Sequence, residues 1–580
     1  MPHSSSSHKR IIAWIGGALG PALLVSGLFI RDTTQWRLQL LAGIWLLSLP
    51  LRSLNQPAAQ SPGAAFGLYR LMLVFGLAFA AVGLQLAREQ VTQAGAIRAQ
   101  ATRLFQPVPE QPVSDNTIRP ADRTALGSGR TWPVATSVTG RGNILDRSGT
   151  LLATSEAGRR IYPYPDLGQI IGFNSRLYGL TGIEAQFDDY LSGAGSLRPL
   201  ELLEARLAGS SVDVAAADVQ LTLDLSLQQA AQAALGERAG AVALLDPQTG
   251  AILALASYPR FDPNQFLLPD PATEEDVARV QAVWQELTER ADSPLLNRAT
   301  QGRYPPGSVI KTLTAAAALD SAVPANPQSP ITCPNRLSTE AGAPPVVNAV
   351  ENLERSTGNP SDLYRVFAFS CNTAFAQLGL ALGPERFGDY AGRFGLGFAD
   401  NPTAADLRDI PAAAGTIANT ADFLQRPVAL ADTAFGQGQA LVTPLDMAQM
   451  VAVIANNGQL LRPYLVQEAR VGSEVVYRAQ PEPLRQVISA EAAQQMRAVM
   501  QTSVEIGYAG PAALPGVTVG AKTGTAETPR GVPHSWFVAI APVEQPRFAI
   551  AVVVEYGGEG SQAALPVARQ VLATALGVQQ

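Results

Sequence analysis

One segment limits the possible folds more than any other. Residues 311–320, KTLTAAAALD, are strongly helix-forming and apolar on nearly all sides. A helix with no polar face has to be covered all round, so it belongs in the middle of a domain. The loop Tyr304-Pro305-Pro306-Gly307 leads into it, and Ser308 stands at its start. At a helix N-terminus, backbone N–H groups and the dipole favour negative charge on an oxygen. Lys311, three residues on, shares a face with Ser308. An amine buried beside a hydroxyl needs a chemical reason, and activating a nucleophile is one.

Lysine usage points to the same place. Of 42 basic residues, three are lysine (Lys9, Lys311 and Lys522) and the rest are arginine. A lysine that supplied only surface charge could have been arginine. One that must lose a proton could not, because guanidinium stays protonated. A free lysine has a pKa of about 10.4, so bringing it near 7 takes roughly 4 kcal/mol. Burial beside a second cation acts in that direction, and Lys522 is available as that cation.

Lys522 opens a motif of its own, Lys522-Thr523-Gly524-Thr525, at the end of the strand-like VTVGA. A strand edge offers backbone groups to an extended peptide. Gly524 leaves room for a ligand backbone, and a lysine with two hydroxyls can hold a carboxylate. A third stretch, Ser370-Cys371-Asn372, is less specific alone but falls 62 residues after Ser308 and 152 before Lys522. A second Ser-x-x-Lys, Ser6-Ser7-His8-Lys9, sits in a polar tail with no core around it.

Composition removes other chemistries. A net charge of −6 argues against nucleic acid as a partner. Of three histidines, His3 and His8 are in the first ten residues and only His534 has a folded context, so no cluster has metal-ligand spacing. No metal and no cofactor is expected. Cys333 and Cys371, 38 residues apart, could form one disulfide but do not make a disulfide framework; unpaired thiols are the preferred reading, with Cys371 buried.

The charged fraction, 16%, is low, in part because residues 11–87 carry almost no charge. Residues 11–30 are uncharged over a membrane-spanning length, 38–51 are apolar but short, and 66–87 are apolar apart from Arg70. These segments read as one to three spans, three being preferred. Lys9 and Arg10 place the N-terminus inside, and an odd number of spans places everything after residue 90 outside. Residues 106–134 read as a linker and 135 to about 215 as short strands and turns. From 217 the pattern is mixed α/β, beginning with a strand at 218–223 and a helix at 225–236. Strands at 240–246, 251–257, 516–522, 535–541 and 547–555, with a closing helix at 565–576, predict an antiparallel sheet closed by both ends of the domain. The expected divisions are a membrane anchor at 1–90, a linker and small domain at 91–216, and a catalytic domain at 217–580.

Ser-x-x-Lys, Ser-x-Asn and Lys-Thr-Gly in this order resemble the penicillin-binding proteins and serine β-lactamases. Arg141-Gly142-Asn143-Ile144-Leu145-Asp146-Arg147-Ser148-Gly149, Gly179-Leu180-Thr181-Gly182-Ile183-Glu184 and the NRATQGRYPPGS run before Val309 narrow the resemblance to class B penicillin-binding proteins, over about residues 135–580. No glycosyltransferase domain fits before residue 217.

The resemblance implies an α/β (α+β) transpeptidase domain, its central antiparallel sheet flanked by helices, behind a small pedestal domain and N-terminal transmembrane helices. It implies a peptidoglycan D,D-transpeptidase that acts on stem peptides ending in D-Ala-D-Ala and is acylated by β-lactams. Ser308 is then the nucleophile and Lys311 its base. Ser370 relays a proton to the leaving amine, and Asn372 holds the substrate amide. Lys522, Thr523 and Thr525 bind the terminal carboxylate beside Gly524, and the N–H groups of Ser308 and Thr525 form the oxyanion hole. A polytopic membrane glycosyltransferase is the implied partner, and the location is the cell membrane with the catalytic domain extracytoplasmic. A β-lactam sensor or β-lactamase-like hydrolase shares the three motifs but needs a deacylating water and base, which the sequence does not identify. A non-catalytic cell-wall scaffold is the third reading, and the intact triple motif argues against it.

Overall fold

The computed structural model describes residues 140–156, 158–193, 215–402 and 405–578. The membrane segments and the linker expected before residue 135 lie outside the described residues. Among the described residues no helix is long and apolar enough to cross a membrane.

The strands of the two larger sheets are, in chain order, β1 (Ile144–Leu145), β2 (Leu151–Glu156), β3 (Arg159–Ile161), β4 (Asp218–Leu221), β5 (Gly240–Leu245), β6 (Ile252–Tyr258), β7 (Val466–Val471), β8 (Glu474–Arg478), β9 (Gly520–Ala526), β10 (His534–Ala541) and β11 (Phe548–Val554). The helices that bear on the site are α1 (Leu225–Leu235), α2 (Lys311–Asp320), α3 (Leu363–Ala368), α4 (Asn372–Leu382), α5 (Pro444–Ala455), α6 (Ala490–Glu505) and α7 (Ala564–Leu576).

The central sheet has the order β9-β10-β11-β5-β6, antiparallel throughout. It is the sheet expected from the two ends of the catalytic domain. Its inner strands are apolar on both faces because both are covered by helices. Alternate residues separate cleanly: Val242, Leu244, Phe537, Ile550 and Val552 pack with α1 and α7. Ala243, Leu245, Trp536, Val538 and Val553 face the larger core, which contains α2 and α5. Each large apolar side chain so covered contributes about 1.5–3 kcal/mol.

Helix α2 explains its own composition. Every residue from Lys311 to Leu319 is buried, and the helix packs against α4, α5 and α6. The third expected strand starts later than its apolar pattern suggested. Residues 514–517 form a turn, and the strand runs from Gly520 to Ala526. The Lys522–Thr525 motif therefore lies within an edge strand and not at its end.

The second sheet has the order β8-β7-β4-β1-β2-β3 and draws strands from both sides of residue 216. The alternating segment at 218 pairs in parallel with β1 and antiparallel with β7. Two of the sequence motifs close on each other here. Glu184 is fully buried, 2.6 Å from Arg141 Nε and 2.6 Å from Arg160 Nε, and accepts from Tyr162 Oη at 3.1 Å.

The reading of unpaired thiols is corrected. Cys333 and Cys371 form a disulfide with a Cα–Cα distance of 6.3 Å. The hydrogen bonds joining Ile331 to Ser361 bring the first cysteine to the second, and sequence spacing carries no trace of that. In a chain-entropy account, closing this 38-residue loop stabilises the fold by roughly 4 kcal/mol.

Candidate active site

The site begins with a tightly held turn. Residues Gly307–Ile310 form a 3-10 turn that continues into α2, with half-buried Ser308 in it. Pro305 and Pro306 restrict the approach, and Trp536 Nε1 donates to the Pro305 carbonyl at 2.9 Å. Tyr304 and Val442 exchange backbone hydrogen bonds, both 2.9 Å. Tyr304 Oη donates to Glu555 Oε1 at 2.8 Å, and Arg298 Nε lies 2.7 Å from the same oxygen.

Two glycines let this turn touch β9 directly. Gly307 has φ +53°, and a Cβ there would lie 2.4 Å from the Thr525 carbonyl oxygen. A Cβ on Gly524 would lie 2.8 Å from Val309 Cγ1 and 2.9 Å from Trp536 Cβ. Gly524 thus makes room for the turn that carries Ser308, a close approach the sequence did not show.

Lys311 is fully buried, and its Nζ lies 2.6 Å from Asn372 Oδ1, 2.8 Å from the Ser370 carbonyl, 3.0 Å from Ser370 Oγ and 3.1 Å from Ser308 Oγ. The first two are acceptors only. Asn372 Nδ2 donates to the Val347 carbonyl at 3.0 Å, which turns Oδ1 toward the amine. A neutral amine has two N–H donors, and these two oxygens take both. The neutral form then has one lone pair to offer a hydroxyl, that of Ser308 at 3.1 Å or of Ser370 at 3.0 Å.

Ser370 presents two groups to Lys311 because of its backbone. It links α3 to α4 with φ +58°, and the Cys371 N–H donates back to the Val366 carbonyl at 2.9 Å, as at a helix C-terminal turn. That left-handed conformation costs a non-glycine residue of order 1–3 kcal/mol and persists only where the surroundings enforce it.

Lys522 approaches from β9. Its buried Nζ donates to Ser370 Oγ at 3.0 Å and to the Thr523 carbonyl at 2.9 Å. Each amine lies 5.6 Å from a ring centre, Lys311 over Phe375 and Lys522 over Phe367. Burial lowers the Lys311 pKa well below the usual lysine value, and the neighbouring Lys522 lowers it further. Burial alone pushes Lys522 down to about 7.

The structure therefore joins Ser308, Lys311, Ser370, Asn372 and Lys522 in one hydrogen-bonded cluster. Thr523 enters it through its carbonyl, and the Thr525 hydroxyl accepts from the Gly560 N–H at 3.4 Å. His534 lies outside the cluster: its Nδ1 accepts from the Tyr556 N–H at 3.1 Å and its ring packs 5.5 Å from Tyr304. Sequence reasoning missed the supports, namely Trp536, the Arg298–Glu555–Tyr304 group, the Val347 carbonyl and the disulfide. Only the disulfide left a signal, a cysteine inside the Ser-x-Asn motif.

Residues 240–573 match the penicillin binding protein transpeptidase domain. The chain is 35% identical over 442 residues to the peptidoglycan D,D-transpeptidase PbpA of Mycolicibacterium smegmatis, spanning 72% of this chain and 84% of that protein. To PbpA of Mycobacterium tuberculosis it is 34% identical over 464 residues, 74% of this chain and 87% of that one. The imipenem acyl-enzyme structure of penicillin-binding protein A from M. tuberculosis superposes with a TM-score of 0.65 at 32% identity, covering 75% of this chain and 99% of that one. The geometry of three motifs and the extent of these matches lead to one conclusion: the chain belongs to the penicillin-binding protein transpeptidase family.

Proposed function

We propose that this chain is a class B peptidoglycan D,D-transpeptidase that cross-links stem peptides through a Ser308 acyl-enzyme. The observation that carries the reading is the setting of Lys311, whose Nζ lies 2.6 Å from Asn372 Oδ1, 2.8 Å from the Ser370 carbonyl and 3.1 Å from Ser308 Oγ, so that a neutral amine giving its two N–H groups to the first two has its lone pair free for the Ser308 hydroxyl. In the acylation step Lys311 takes the Ser308 proton as Oγ bonds to the penultimate D-alanine carbonyl carbon. The oxyanion rests on the N–H groups of Ser308 and Thr525. The C–N bond then breaks, and the terminal D-alanine leaves with a proton passed from Lys311 through Ser370 Oγ. In the second half an amine of a neighbouring stem attacks the ester, a new amide forms and Ser308 regains its proton. A β-lactam follows the first half only, because its amine stays tethered after the ring opens.

Lys522, Thr523 and Thr525 bind the terminal carboxylate. Asn372 does more than the sequence suggested. Its Oδ1 orients Lys311, and with one Nδ2 proton given to Val347, the other is left for the substrate amide. We further propose that residues 1–90 anchor the chain in the cell membrane with the N-terminus cytoplasmic. The β1–β4, β7, β8 sheet then acts as a pedestal outside the membrane, and a polytopic glycosyltransferase supplies the glycan strands. The Arg141–Glu184–Arg160 network supports the pedestal assignment by binding both of its motifs together.

The test is a reaction with a pentapeptide donor ending in D-Ala-D-Ala and a stem-peptide amine acceptor. The expected result is D-alanine release matched by cross-linked product. Release with hydrolysed tetrapeptide alone, whatever the acceptor concentration, identifies a hydrolase instead.

A further inference from the structure

We propose that the Cys333–Cys371 disulfide is a positioning element of the active site, holding Ser370 and Asn372 on Lys311, so that acylation of Ser308 requires the oxidised chain. The inference rests on the acyl-enzyme reading above.

Cys371 is the residue between Ser370 and Asn372, and both half-cystines are fully buried. The other end of the bridge is anchored independently. Ile331 and Ser361 exchange hydrogen bonds at 2.9 and 2.7 Å, and the Cys333 N–H donates to Asn359 Oδ1 at 3.2 Å. The next residue, Pro334, accepts from Thr373 Oγ1 at 2.7 Å and from Asn348 Nδ2 at 3.1 Å. Asn348 Oδ1 accepts from the Thr373 N–H at 3.1 Å. The Val347 carbonyl that orients Asn372 belongs to a two-stranded ribbon, Arg336–Leu337 with Val346–Val347. A ribbon of that size is marginal alone. The acceptor that aims Asn372 therefore depends on the stretch that carries Cys333, and the disulfide is the covalent tie between that stretch and the catalytic turn.

The turn has reason to relax without it. Ser370 is held at φ +58°, which a serine leaves when its surroundings allow. Ser370 and Asn372 supply three of the four groups around the Lys311 amine, and Ser370 also joins it to Lys522. A displacement of about 1 Å in such a constellation costs roughly a hundredfold in rate. Reduction by a dithiol breaks the S–S bond, delivers two electrons and two protons to the sulfurs, and closes the dithiol into its cyclic disulfide. The two thiols that result are small apolar groups suited to a buried site, so the fold is retained while the turn loses its tie.

The experiment uses the full chain in detergent, with the second-order rate of acylation by a fluorescent penicillin as readout. It compares oxidised protein, dithiol-reduced protein with two thiols confirmed by titration, the same sample reoxidised, and a Cys333→Ala/Cys371→Ala variant checked by circular dichroism. The expected result is a loss of about a hundredfold on reduction and in the variant, with recovery on reoxidation. In a Ser370→Ala/Asn372→Ala background, removing the bridge is expected to cost no more than about threefold further, because the two side chains it positions are already gone. An unchanged rate in the reduced protein or the folded variant overturns the proposal. So does an undiminished loss in the Ser370→Ala/Asn372→Ala background, which would mark the bridge as a fold stabiliser only. If the variant does not fold, the reversible reduction decides. Absence of labelling in the oxidised chain would instead count against the acyl-enzyme reading itself.

Discussion

Lys311 Nζ and Lys522 Nζ each lie 3.0 Å from one hydroxyl, Ser370 Oγ. Two buried amines sharing a hydroxyl cannot both hold their protons at ordinary lysine pKa values. In the proposed mechanism the arrangement divides the work between them: one acts as a base and the other as a charge that keeps the first neutral.

That division predicts how arginine behaves at each position. Lys311→Arg cannot offer a lone pair, so its acylation by a penicillin should fall as far as that of Lys311→Ala. Lys522→Arg keeps a cation near the carboxylate and should retain more acylation than Lys522→Ala. Second-order acylation rates of the four variants give the ranking. Substantial activity in Lys311→Arg would remove Lys311 as the base.

The pH profile follows from the same pair. Below its lowered pKa, Lys311 is an ammonium and cannot accept the Ser308 proton, so the acylation rate of the free enzyme falls on the acid side. Lys522, pushed down to about 7, loses its charge as pH rises through that value, and the carboxylate is then held less well. A bell-shaped profile is expected. Arginine at 522 stays protonated, so Lys522→Arg should lose the alkaline limb and keep the acid one. Stopped-flow acylation between pH 5 and about 9 measures both limbs, and an alkaline limb that persists in Lys522→Arg argues against this assignment.

Much of this was legible beforehand. The apolar runs of β5, β6, β10 and β11 revealed the central sheet, because strands buried on both faces have little room for polar residues. Ser308 and Lys311 were readable because they are one helical turn apart, and Lys522 because lysine is so rare in this chain. Contacts between distant segments were not readable. Nothing in sequence tells that Gly524 faces Val309 or that Glu555 supports Tyr304, since each depends on where the chain returns in space. The pattern at 218 correctly gave a strand, but periodicity cannot say which sheet a strand joins.

Gly524 offers a test of that close approach. In Gly524→Ala the new methyl would meet Val309 Cγ1 at 2.8 Å and Trp536 Cβ at 2.9 Å, both part of packed walls. Overpacking of this kind costs about 1–3 kcal/mol. The relief open to the site is to push the Ser308 turn off β9. The variant should therefore lose acylation rate by much more than its thermal midpoint suggests. An unchanged rate would show that the turn does not depend on direct contact with the strand.

Glu184 tests the opposite case, a buried charge far from the chemistry in function. Glu184→Gln removes the carboxylate that pairs Arg141 and Arg160 at 2.6 Å each. Arg141 keeps its ion pair with Asp188, but Arg160 is left buried without its carboxylate, which is expected to cost about 3–5 kcal/mol. Denaturant unfolding measures that loss. The fraction still folded should acylate at the parent rate, and a slower rate in that fraction would mean the second sheet is coupled to the catalytic one.

The most direct measurement is where the covalent bond forms. Intact mass spectrometry of the full chain with penicillin should show one added penicilloyl group, and peptide mapping should place it on Ser308. Ser308→Ala should keep the fold by circular dichroism and take up no label. A label on another residue, or labelling that survives in Ser308→Ala, would contradict the nucleophile assignment and the mechanism built on it.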